Sequence, residues 1–562
     1  MSERTIRLDG TAKRAIDYSR NRLSVAALVF GACFLVMAGR VVDLGLSVSE
    51  DRDGSSGDDT VEFDGHRANI VDRNGIVLAT DLIAASLFAK PSQILDPSAA
   101  AKKLASVFSD MTRGQLEAKL SAPTPFVWIK RKLTPTQQDA VNRLGIPGLG
   151  FENEIKRVYP QANLFAHVLG HVDLDNRGLA GVEGHLNTRL TDPAQVDEPL
   201  VLSIDSRVQH VLRDELNKAM VKHSATGATG LILDVETGEV VAMTSLPDFD
   251  INDPAGAMKD PKFVNRATYG LYEMGSTFKT FTLAMALEEG TVALNGGYDA
   301  THPIRVAGYT INDDHAKARW LNVPEIYMYS SNIATAKMAL DAGPKLQRAF
   351  LKRLHLLERP EIELSEVRDP HYPEKWSKID LVTVAYGHGI AVSALQLGSA
   401  VAAVSNGGIY RQATLVKQAP GQVPAGERIL SEETSRKVQA LMRLVVERGT
   451  GSKADAKGYL VGGKTGTAEK IKNGRYVKDS LVSSFVGIFP SNAPRYLVFA
   501  MLDEPKGTAD TYGFASGGWT AAPVVKRTVL RAAHMLGVNP SDAETHPLTD
   551  ELLKLLRPEV RS

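Results

Sequence analysis

Three short strings constrain this chain more than anything else in it: Ser276-Thr-Phe-Lys279, Ser330-Ser-Asn332 and Lys464-Thr-Gly466. Between them they offer a hydroxyl with an amine three residues on, a second hydroxyl with an amide, and a cation beside small backbone. A lone Ser-x-x-Lys arises by chance in a chain of 562 residues. All three in this order, each in a suitable local context, make a strong signal, and a fold that uses them must bring them together.

A serine hydroxyl is a poor nucleophile until a base removes its proton. The pattern predicts a helix over Ser276 to Glu289 closed by Gly290, with the Ser276 oxygen at the positive end of the helix dipole. Lys279 lies one turn later on the same face. It can act as a base only if its neutral form is accessible, which burial or a second cation such as Lys464 promotes. An isolated pair of this kind is more often an exposed Ser and Lys on a surface helix. Here Phe278 and Phe281 argue for an inward-packed one.

Ser330 and Asn332 interrupt an apolar helical stretch, EIYMYSSNIATAKMAL. Such side chains compete for backbone hydrogen bonds, so helix interiors disfavour them. The trio is either functional or a cap between two helices. Lys464-Thr465-Gly466-Thr467 reads as an exposed strand edge, where Gly466 would let an extended peptide approach and pair as an added strand. Lys464, Thr465 and Thr467 can bind a carboxylate there. The run Gly458 to Thr465 also fits the phosphate-loop pattern, but polar residues precede it and strand and turn follow, so a nucleotide site is rejected. His315, His371 and His388 lack metal-ligand spacing.

Leu23 to Gly39 is uncharged and mostly apolar, and Arg and Lys dominate the residues before it. This predicts one retained transmembrane helix with a cytoplasmic amino terminus and an external body. A cleaved signal peptide ending near Ala38 is the alternative. The hydrophobic fraction of 43% excludes a multi-span protein, and 65 basic against 65 acidic residues give no basic excess for nucleic acid. The single cysteine, Cys33, allows no internal disulfide. Strand patterns at GLILDVETGEVVAMTSLP, Leu481–Phe489 and Tyr496–Leu502 enclose helical patterns, which suggests an α+β domain with an antiparallel sheet. Leu200 to Asp205 reads as a strand, followed by a helix with Val208, Val211, Leu212, Leu216 and Met220 on one face.

The three strings together resemble those of the penicilloyl-serine transferase superfamily. HRANIVDRNGIVLAT and the stretch from Glu152 to Leu186 resemble the non-catalytic pedestal of class B penicillin-binding proteins. VAYGHGIAVSALQLGSAVAAVSNGGIYRQATLVK, GGKTGTAEK and SSFVGIFPSNAPRY resemble the division-specific branch. Ala68 and Met274 depart from the family, which usually has glycine and proline there. The resemblance implies a transpeptidase-like α+β domain with an antiparallel sheet and a helical subdomain over 225–540. Before it would come a cytoplasmic tail over 1–22, an anchor over 23–42, a linker over 43–62 and a mixed pedestal over 63–224. A tail over 541–562 would follow, with no appended wall-binding repeats and no polymerase domain.

It further implies a peptidoglycan D,D-transpeptidase of the septum, at the bacterial inner membrane with its catalytic domain in the periplasm. Ser276 would be the nucleophile, Lys279 the base, Ser330 the proton shuttle, and Asn332 the holder of Lys279 and of the substrate amide, with Ser331 pointing away. Lys464, Thr465, Gly466 and Thr467 would hold the substrate, and the amides of Ser276 and Thr467 would form the oxyanion hole. The ligands would be stem peptides and β-lactams, with no metal, cofactor or nucleic acid. The membrane glycosyltransferase FtsW and other division proteins would be partners. An elongation-type transpeptidase, a β-lactam sensor and a catalytically dead scaffold are the alternatives. Glu183-Gly-His-Leu-Asn187 mimics the deacylating string of class A β-lactamases but precedes Ser276, so Glu183 reads as structural.

Overall fold

The computed structural model describes residues 66–254, 260, 263–472, 474–541 and 546–557, with 28, 31, 32 and 34–37 nearer the amino terminus. The anchor expected over 23–42 lies largely outside these residues and the linker over 43–62 wholly so. Among the described residues no helix is long and apolar enough to cross a membrane.

The first sheet is built from strands β1 (Ile70–Val71), β2 (Val77–Ala89), β3 (Val127–Lys130), β4 (Leu149–Val158) and β5 (Leu200–Val201), with β2 pairing β1, β3 and β4. Asn74 and Gly75 sit in the β1–β2 turn as expected. Asp72 closes it by accepting from the amides of Asn74 and Ile76. Only Leu200–Val201 of the strand expected to reach Asp205 is regular. Asp205 instead caps helix α1 (Ser206–Lys222), accepting from the amides of Arg207 and Val208. That job needs a short acceptor in extended backbone just before a helix, which ends the strand.

Glu183 is fully buried between two guanidinium groups: Arg67 Nη2 lies 2.7 Å from one carboxylate oxygen and Arg157 Nε 2.7 Å from the other. Arg67 also donates to the carbonyls of Asn176 and Glu183. This cross-brace ties the start of the first sheet to the segment after it.

A second, fully antiparallel sheet comes from both ends of the remaining chain. Strands β6 (Gly227–Asp234) and β7 (Val240–Leu246) come first; β8 (Gly462–Lys472), β9 (Arg475–Phe489) and β10 (Tyr496–Asp503) come last. Their order in space is β8-β9-β10-β6-β7, so β8 is an edge strand. Strand side chains alternate between faces, and here both faces are covered. Leu231, Leu233, Leu497, Phe499 and Met501 join one apolar core, while Ile232, Val498, Ala500 and Leu502 join the other. Helix α1 and the late helix Ala522–Ala532 pack together on the second face. The first face carries α2 (Lys279–Glu288), α3 (Val323–Tyr329), α4 (Asn332–Ala342), α5 (Ala394–Ser405) and α6 (Glu432–Arg448).

Two expected elements are re-cut. The helix predicted from Ser276 begins as a 3-10 turn, Gly275–Phe278, and becomes α-helical only at Lys279. The stretch around Ser330 is two helices with a cap between them, one of the two readings the trio allowed, since α3 ends and α4 begins there. The segment expected as a tail includes a helix, Thr549–Leu555, that packs on α6. There the Leu555 carbonyl accepts from Asn322 Nδ2 and the Arg557 amide donates to Glu325.

Candidate active site

The 3-10 turn holds Ser276 half-buried at the end of α2, while Phe278 and Phe281 face the core and meet edge to face. Gly275 adopts φ +53°, and a Cβ there would come within 2.4 Å of the Thr467 carbonyl oxygen. Glycine is therefore needed twice over, for its left-handed backbone and for the close approach to β8. Gly466 answers it from the other side. Its Cβ would lie 2.4 Å from Ser484 Oγ and 2.6 Å from the Met274 carbonyl oxygen. The small residue expected to admit a substrate backbone thus first admits the protein's own nucleophile turn.

Lys279 is 2% exposed, and its Nζ lies 3.0 Å from Ser276 Oγ, 3.0 Å from Ser330 Oγ, 2.5 Å from the Ser330 carbonyl and 2.6 Å from Asn332 Oδ1. Burial pulls its amine down to about 7, against the opposing pull of Asp313 and Asp314. Lys464 Nζ, fully buried, lies 2.9 Å from the same Ser330 Oγ. Burial and then the Lys279 charge hold it well below the usual lysine range. So Ser330 bridges two buried amines. The strand edge expected to be exposed is an edge in pairing only, because α6 and α3 cover the Lys464 side chain.

Ser330 reaches this place through its backbone. It sits in the left-handed region, φ 61° and ψ 43°, as the C-cap of α3. That conformation costs a non-glycine residue about 1–2 kcal/mol. It turns both the carbonyl and the hydroxyl of one residue onto Lys279. Ser331 points away and caps α4, accepting from the Ala334 amide while donating to Asp313. Asn332 opens α4, and its Nδ2 donates to the Asn312 carbonyl.

Thr465 shares a hydrogen bond with Thr450 at 2.9 Å, and Thr467 Oγ1 accepts from the Gly517 amide at 3.1 Å. The structure thus brings Ser276, Lys279, Ser330, Asn332 and Lys464 into one contact network, with Thr465, Gly466 and Thr467 following along β8. Among the described residues no group of three or more His, Cys, Asp or Glu side chains is placed to hold a metal ion. The phosphate-loop look-alike opens a strand at Gly462, not a helix.

Sequence reasoning missed Asp313. Its carboxylate accepts from the amides of Asn332 and Ile333 at 2.5 and 2.9 Å, which fixes the start of α4. It lies on an irregular loop nearly twenty residues upstream, with no local pattern to mark it. It also missed Gly387, whose Cβ would lie 2.1 Å from the Gly275 carbonyl oxygen. The quoted Tyr-Gly-His-Gly run was its only signal.

A serine and a shielded lysine, gathered on the helical side of a five-stranded antiparallel sheet, place the molecule among serine acyl-transferring enzymes. Residues 228–529 match the penicillin-binding protein transpeptidase domain, and residues 63–190 the penicillin-binding protein dimerisation domain. The probable peptidoglycan D,D-transpeptidase FtsI of Caulobacter vibrioides is 39% identical over 537 residues, covering 94% of this chain and 90% of that one. The peptidoglycan D,D-transpeptidase FtsI of Escherichia coli is 30% identical over 512 residues, covering 85% of each. Penicillin-binding protein 3 of Mycobacterium tuberculosis, solved in complex with aztreonam, shares the fold with a TM-score of 0.68 at 23% identity, over 86% of this chain and 99% of that one. The chain belongs to the penicillin-binding protein transpeptidase family, in its class B branch.

Proposed function

We infer that this chain is a peptidoglycan D,D-transpeptidase of the division septum, working through an acyl-serine that penicillins also form. The observation that carries the reading is the Lys279 amine, shielded from water and 3.0 Å from Ser276 Oγ. With the amine drawn down to about 7, a large fraction is unprotonated at neutral pH and can take the serine proton. Ser276 Oγ then attacks the carbonyl of the penultimate D-alanine. The amides of Ser276 and Thr467 receive the oxyanion, a contribution of about 3 kcal/mol per donor.

Ser330, touching both amines, passes a proton to the departing D-alanine nitrogen, and the C–N bond breaks. Lys464, Thr465 and Thr467 hold the terminal carboxylate, while Asn332 holds Lys279 and the substrate amide. An amine from a neighbouring stem then attacks the ester. Its proton returns through the same relay to Ser276 Oγ, leaving a new amide.

The apolar run over 23–42 serves as a single membrane anchor, with the tail over 1–22 cytoplasmic and the pedestal over 63–224 and catalytic domain over 225–540 outside. The resemblance to the division-specific branch supports FtsW as the source of the glycan strands. Intact-mass measurement after benzylpenicillin treatment tests the assignment. One persistent adduct is expected, absent in Ser276→Ala. An unchanged adduct in that variant refutes it.

A further inference from the structure

One carboxylate on the rim of the cleft is left without a charge partner. Glu273, three residues before Ser276, is half-buried. Its Oε1 accepts from the Gly389 amide at 3.0 Å, and both of its oxygens lie 3.1 Å from the Tyr476 hydroxyl. Glu469, on β8, acts electrostatically on the same tyrosine. Among the described residues neither carboxylate pairs with a cation. The lysines of that strand are engaged elsewhere, Lys470 with Asp503 and Glu504, and Lys472 with Glu504. The nearby His388 is held toward its neutral form, chiefly by burial.

The position along β8 gives this negative spot a meaning. Tyr476 stands opposite Ile471 in the β8–β9 hairpin, at the far end of β8 from Lys464. A donor peptide added antiparallel to the β8 edge, its terminal carboxylate at Lys464 to Thr467, runs back toward Glu469 and Ile471 at roughly 3.4 Å per residue. Its residue just before the acylated D-alanine therefore arrives beside Glu273. In the proposed reaction the attacking amine comes from a neighbouring stem, so a donor stem of the same kind carries that side-chain amine too. Resting on the transpeptidase reading, we propose that Glu273, seconded by Glu469, binds the side-chain ammonium of the donor stem and so selects stems in which that amine is free. Burial also pushes the Glu273 carboxyl above its usual range, and an arriving ammonium offsets that penalty.

Two penicillins test this without requiring turnover of peptide. One carries an ω-aminoalkanoyl side chain, which places a primary ammonium up-chain of the β-lactam, and the other is its N-acetyl derivative. The ratio of their second-order acylation rates cancels any general loss of reactivity. On the full chain the free amine should react roughly five-fold faster, the scale of a half-exposed ion pair. In Glu273→Gln the ratio should fall toward one, and in Glu469→Gln it should fall part of the way. A wild-type ratio of one or below, or a ratio unchanged in Glu273→Gln, overturns the proposal. Should the variant not fold, salt decides: an ion-pair preference shrinks as ionic strength rises, and an insensitive ratio overturns it. If neither penicillin acylates the wild-type chain, the transpeptidase reading itself has failed.

Discussion

Replacing Lys464 with methionine keeps most of the buried volume and deletes one of the two amines that meet at Ser330. Both nitrogens lie about 3 Å from Ser330 Oγ, so they are no more than about 6 Å apart. At that distance, with an effective dielectric constant of about 20, unit charges on the two amines disfavour one another by about 3 kcal/mol. Lys464 is the one that yields, because the Lys279 charge helps hold it low while burial alone lowers Lys279. In wild type the acylation rate should climb with pH through about 7, because the basic form of Lys279 is the unprotonated amine. In Lys464→Met the climb should keep both its direction and its midpoint, because burial is what lowers the Lys279 amine. Loss of the carboxylate contact lowers the whole curve without moving it, so the midpoint isolates the electrostatic part. Acylation by a fluorescent penicillin, followed by stopped flow across the pH range, gives both curves. A midpoint that moves up by about a unit or more refutes burial as the cause of the lowered amine.

Gly466→Ala pushes a methyl into the Met274 carbonyl and Ser484 Oγ. It should slow acylation at least ten-fold and cost about 1–3 kcal/mol of stability, read by acylation rate and thermal melting; wild-type values in both would contradict the close-approach argument. Glu183→Gln leaves the buried Arg67 without a charge partner and Arg157 with Asp81 alone, and should destabilise by about 3–5 kcal/mol. The release rate of the penicilloyl adduct per folded molecule should not change, whereas an altered release rate would mark Glu183 as a deacylating group. The Lys279 amine, lowered in the folded state, binds fewer protons than in the unfolded chain between pH 7 and the ordinary lysine range. Stability from this group should therefore rise with pH across that window. Lys279→Met should lose this part of the rise in denaturant titrations, and identical slopes would argue against a depressed amine.

The chemistry-bearing residues were legible because each sits in a short string whose composition is odd for its surroundings. The sheet was legible where apolar runs met sharp turns, as in β6, β7 and β10. The break at Ser330 was legible only as one of two readings, because nothing local distinguishes a serine in left-handed backbone from one in a helix. Tertiary contacts with Lys279 and Lys464 settle that choice. Asp313 and Glu273 were invisible for a related reason: their partners come from other parts of the chain. Leu200 to Asp205 misled because its end is decided by a capping aspartate, which outweighs strand propensity.

The division of the catalytic sheet between the two ends of its chain has a consequence for biosynthesis. Gly227 pairs with Asp503 and Asp234 with Tyr496, so the hairpin made first waits for partners made more than two hundred residues later. At roughly 5–20 residues per second, that interval lasts about ten to fifty seconds. Throughout it, β6 offers an unpaired, mostly apolar edge of the kind that seeds aggregation. Helix α1, made immediately before β6 and packed on β6 and β7, can shield one face during the wait. The other face has no cover until α2 and α5 emerge. Destabilising substitutions on that face of β6, at Leu231 or Leu233, should therefore reduce the yield of folded protein more than they reduce the stability of the molecules that do fold.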